Sequence, residues 1–115
     1  MEKNVKLILD ELKKFQESTA EAIDNHKNHI KWCEENFVKD PNEIAYLVIC
    51  KKILELLELE QKLTDRMILL NWESDFEFSA QQFSILKDSL INTIQAKNVY
   101  IQMGNDLNSR FGERV

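Results

Sequence analysis

At 115 residues the chain has room for one domain with a single modest core, and its 15 basic and 20 acidic side chains are interspersed, which argues against a phosphate-backbone interface. Two glycines and one proline are too few for a β-rich or loop-rich fold, and two cysteines are too few for a disulfide scaffold, so reduced thiols are expected. The longest apolar run, Ile44 to Cys50, is far short of a membrane span, and the amphipathic N-terminus shows no secretory signal; both predict a protein of the cytoplasm, in a cell or an infected host.

The first helix is expected from about Asn4 to Phe37. Its apolar positions at Val5, Ile8, Leu12, Phe15, Ala22, Ile23, Ile30, Cys33 and Phe37 recur at three- and four-residue steps, a seam of the bundle type. Thr19, His26 and His29 fall on or beside that seam, and Trp32 lies off it.

Asp40-Pro41-Asn42-Glu43 is a helix-start signal. Asp40 accepts from the free N–H groups of the first turn, Pro41 suits the first helical position, and Glu43 stands where a capping-box carboxylate reaches back. The second helix is expected from Pro41 to about Asn71. Two stripes run along it: Ile49, Ile53, Leu56, Leu63, Met67, Leu70, and Leu47, Cys50, Leu54, Leu57, Ile68. A surface helix needs one stripe; two suit a helix between two neighbours, or one that buries a spare face in a second subunit. Glu55, Glu58, Glu60, Lys62, Asp65 and Arg66 are assigned to its solvated side.

Ser79 and Gln82 form a capping box, with Phe78 and Phe83 spaced as a hydrophobic staple, so the third helix is expected from Ala80 to about Phe111. Phe83, Leu86, Leu90, Ile94 and Ile101 make one stripe; Val99, Met103, Leu107 and Phe111 an adjoining one. Gly104 costs about 1 kcal/mol inside a helix and marks either a close crossing or fraying; Gly112 is placed to end the helix. Short connections make neighbours antiparallel, giving an all-α, coiled-coil-like bundle of three long helices, completed by dimerisation if the spare face of the second helix is buried that way.

One constellation carries chemistry. His26, His29 and Cys33 stack on one face of the first helix, and an antiparallel hairpin brings Cys50 level with His29. Two imidazoles and two thiolates are a ligand set for tetrahedral structural zinc. The simpler reading makes the cysteines small core hydrophobes and leaves the imidazole tips in water. A Cys33–Cys50 disulfide is disfavoured, since the two sites are a helical turn out of register. Trp72, Asp75 and Phe76 alternate aromatics with acids between the second and third helices, either sealing the end of the bundle or offering an aromatic hot spot with an acidic rim to a protein partner. Glu21, Asp24, Glu55 and Glu58 satisfy short carboxylate patterns used by magnesium-dependent helical nucleotide hydrolases, in the wrong chain order; ordinary solvated faces explain them.

With no phosphate loop and no scaffolded nucleophile, the expectation is a non-catalytic interaction module: an adaptor, chaperone or inhibitor, such as a phage-encoded inhibitor of a host complex. It is expected to bind a protein partner and to dimerise through its second and third helices, without direct nucleic-acid or membrane binding. Zinc is the alternative cofactor.

Overall fold

The computed structural model describes the backbone of residues 2–37 and 40–112, with side chains over 3–37 and 40–109. Three helices, α1 (Glu2–Asn36), α2 (Pro41–Ile68) and α3 (Phe76–Gly112), form an all-α three-helix bundle 58 Å long and 20 by 17 Å across. Phe111 and the tail after Gly112 lie outside the described side chains.

The start of α2 follows from local chemistry. Asp40 is extended, and its Oδ1 accepts from the backbone N–H of Asn42 at 2.9 Å and of Glu43 at 3.0 Å. The start of α3 differs from the sequence expectation. Asp75, not Ser79, is the cap: its carboxylate accepts from the Phe78 N–H at 3.0 Å, and α3 begins a turn early. Ser79 lies inside the helix, buried, with its hydroxyl donating to the Asn71 carbonyl at 3.0 Å. Phe78 is consequently exposed rather than stapled. At its other end α2 stops at Ile68, where the Leu69 N–H closes onto the Asp65 carbonyl.

α2 is the central element, and its two stripes serve two neighbours. Cys50 meets His26 of α1, while Ile49 lies beside Gly104 of α3. Two apolar clusters result. One holds Ile23, Ile49, Ile53 and Leu57; the other holds Leu63, Met67 and Leu90, with Leu12, Phe15 and Phe83 packed on it. Each such side chain contributes about 1.5–3 kcal/mol on burial.

A polar belt separates the clusters. Glu60 is fully buried, and both its carboxylate oxygens accept from Lys97 Nζ, at 2.9 and 3.0 Å. This corrects its assignment to the solvated side: helical position turns Glu60 toward α3. Thr64 is also fully buried and donates to the Glu60 carbonyl at 2.7 Å. Gln16 donates to the half-buried Asp65 carboxylate at 2.6 Å, tying α1 to α2 at the edge of the belt.

The second α3 stripe is corrected in part. Leu107 packs on the Ile23 cluster, but Val99 is 60% exposed and Met103 45%, because α3 turns only one face to α2 and these two project past it.

Candidate functional site

α1 and α3 each pack on α2, and among the described residues no Cα of α1 comes within 8 Å of one in α3. Close-packed helices about 8–10 Å apart bring Cα atoms nearer than that, so α1 and α3 are splayed and leave an open corner between them. Side chains of the Leu63 cluster fill the gap along one half of the molecule. Along the other half it opens into a groove of about 510 Å³. Cys50, Ile53 and Leu57 contribute its floor, Ala22, Asn25 and His29 its α1 wall, and Ile101, Gly104 and Asn105 its α3 wall.

Charge is missing from this face. On α1, Ser18, Asn25 and Trp32 recur every seven residues, as do Ala22, His29 and Asn36, so they share the side that borders the groove. All are uncharged, and all but Ala22 are exposed. On α3 the exposed rim is Asn98, Ile101 and Asn105. Among the described residues, the one charged side chain lining the groove, Lys97, is paired with Glu60.

His26, His29 and Cys50 line this groove, while Cys33 is buried and borders a separate, smaller pocket. His26 Nε2 is 2.7 Å from the Cys50 carbonyl oxygen. A carbonyl only accepts, so that nitrogen carries the proton and donates. His29 Nε2 is 2.7 Å from the Tyr46 hydroxyl, with Cys33 Sγ 3.6 Å away. The hairpin register is thus a turn from the one expected: His26, not His29, stands beside Cys50. Burial pushes the His26 pKa down, partly offset by the Cys50 carbonyl and reinforced by neighbouring His29. Burial raises both thiols, against a smaller opposing effect of the Tyr46 hydroxyl on Cys50. Tyr46 is itself raised far above the ordinary phenol range, first by burial and then by the two cysteines. Burial thus favours the neutral forms of His26 and of both thiols at neutral pH.

The structure therefore gathers His26, His29, Cys33 and Cys50 into one region, with both Nε2 atoms engaged by protein oxygens. Among the described residues no group of three or more His, Cys, Asp or Glu side chains is placed to hold a metal ion. Glu21, Asp24, Glu55 and Glu58 are all exposed, Glu55 pairing with Lys52 at 3.3 Å. At the other sequence-derived site, Trp72 is half-buried. Its ring centroid lies 5.5 Å from that of Phe76 and 5.7 Å from that of Phe83, and its buried Nε1 has no hydrogen-bond partner. Phe76 is 39% exposed, and Asp75 is occupied as the α3 cap.

Sequence reasoning passed over Tyr46, Asn25, Lys97 and Asn105. Tyr46 lies one turn before Cys50 and was readable as part of the His/Cys layer. Comparison with protein-family models, curated proteins and solved structures found no match to this chain.

Proposed function

We propose that the chain is a non-catalytic helical protein–protein interaction module, an adaptor, chaperone or inhibitor acting in the cytoplasm of a cell or infected host. The observation that carries this reading is the vacant corner: two helices on a third, with an uncharged groove between them. The groove holds His26, Cys50 and Tyr46 with shifted protonation, which a catalytic cleft can share, but burial shifts each toward its neutral form, and the groove walls offer amides and apolar surface. Such a surface recognises by shape and by excluding water, with few charges to set orientation.

The test is complex formation. Cross-linking and native mass spectrometry of the chain expressed in its natural host are expected to find it in a complex, with itself or with another protein. Ile101→Glu, which places a charge on the groove wall, is expected to abolish that complex while the helical circular-dichroism signal is unchanged. A wild-type chain that enters no complex of either kind would sink the proposal.

A further inference from the structure

Between Ser89 and Asn105, α3 carries one charged residue in 17, Lys97, where the chain's overall share of 30% would place about five. Contact with α2 accounts for one side of this stretch only. Ile91, Asn98, Val99, Ile101, Gln102 and Met103 are all exposed and all uncharged. An α-helix without charge around most of its circumference is one that expects neighbours on several sides.

The other helices do not share this character. The exposed side of α1 carries Glu17, Glu21 and Asp24, and that of α2 carries Lys52, Glu55 and Lys62. Two independent features thus match. The molecule has an open corner between α1 and α3, with uncharged walls. It also has one helix with uncovered, uncharged faces. The groove itself is bounded by Ala22 to His29 on α1 and Lys97 to Asn105 on α3, about 10 and 12 Å at 1.5 Å per residue, so it takes about two turns of a partner helix.

Resting on the interaction reading above, we propose that the groove is filled by α3 of a second copy of this chain. Each copy places its α3 in the vacant corner of the other. The arrangement is isologous: the same surface serves both partners, and the assembly closes at two. Its six helices form two layers of three, with the two α3 helices side by side at the centre. A helix from a different protein would fit the corner, but it would leave the remaining exposed side of this chain's α3 in water. A second copy covers both surfaces in one contact. Electrostatics point the same way. Two copies each carrying −5 repel, so they approach best through a face without carboxylates.

Sedimentation velocity from about 1 to 100 µM tests the proposal. The wild type is expected to be a dimer. Asn98→Glu and Ile101→Glu are each expected to raise the dissociation constant at least about tenfold. Asn98 is exposed, so a charge there leaves the fold intact, and the helical circular-dichroism signal is expected to be unchanged. Val48→Glu, on the outer face of α2, is expected to leave the dimer as it is. A wild type that stays monomeric throughout would overturn the second copy as occupant. So would a dimer broken by Val48→Glu and not by Asn98→Glu, which would move the interface to the back of α2. A monomer that still binds another protein through Ile101 would overturn this inference and leave the interaction reading standing; no complex of any kind would end both.

Discussion

Lys97→Met removes one half of the buried ion pair while keeping the length and apolar stem of the side chain. In the wild type both Glu60 oxygens accept from the ammonium, and the carboxylate has no exposed surface. After the substitution the charge stays in the belt with no cation. Breaking a buried pair from one side costs about 3–5 kcal/mol. Lys97 is 19% exposed at the groove wall, so some water reaches the pair, and the lower figure applies: about 3 kcal/mol. For a domain stable by roughly 5–15 kcal/mol that is a large share, equivalent to a melting-point fall of about 10 °C.

The assay is urea unfolding at one protein concentration, because any self-association couples stability to concentration. The double substitution Glu60→Leu with Lys97→Met is expected to recover to within about 1 kcal/mol of wild type, since an apolar pair needs no compensating charge. A loss under about 1 kcal/mol would refute the reasoning and show that the groove hydrates the carboxylate.

Gly104→Ala is expected to stabilise by about 0.5–1 kcal/mol in thermal melts. A Cβ there would meet Ile49 Cγ2 at 3.5 Å and Tyr46 Cε2 at 3.7 Å, ordinary contact distances; a lowered melting point would mean that the helices cannot spare that space. His26 has a folded-state pKa below its ordinary 6.5, so the unfolded chain binds more protons. Its contribution is full above about pH 6.5 and is lost as pH falls through the lowered value, with a slope of up to about 1.4 kcal/mol per pH unit. His26→Gln is expected to flatten urea midpoints over that window, and an unchanged slope would assign the acid limb elsewhere. Cys50→Ser is expected to cost the same stability in zinc-containing and chelator buffers; a larger loss with zinc would establish the four-residue metal site. Trp72→Ala is expected to destabilise by about 2–3 kcal/mol through lost packing on Phe76 and Phe83. A melting point within a degree or so of wild type would return Trp72 to the role of exposed partner anchor.

Local chemistry was legible in the sequence where it was sufficient. Asp40-Pro41 starts a helix by side-chain–backbone bonds within four residues, and nothing elsewhere competes. The next start held two cap signals four residues apart, Asp75 and Ser79. Both satisfy the local rule, and the bond from Ser79 to Asn71 belongs to the folded loop. Glu60 was unreadable for a stronger reason. A lone acid in a charged helix reads as solvated, and its partner lies 37 residues away on another helix. The His/Cys layer was found, but a turn out of register, because hairpin arithmetic does not fix how far one helix slides along the other.

The reading of α3 shows why apolar stripes alone mislead. Val99 and Met103 were placed in the core because they are apolar and correctly spaced, yet a helix packed on one neighbour cannot bury two adjoining stripes. Hydrophobicity says that a residue gains by leaving water; it does not say whose surface it leaves water for. The absence of charge is the more discriminating signal, since a face kept permanently in water tolerates Lys or Glu at little cost. From Ser89 to Asn105 that signal is already present in the sequence. It marks a length of helix that α2 covers on one side only, and under the proposed pairing the open corner of a second copy covers the rest.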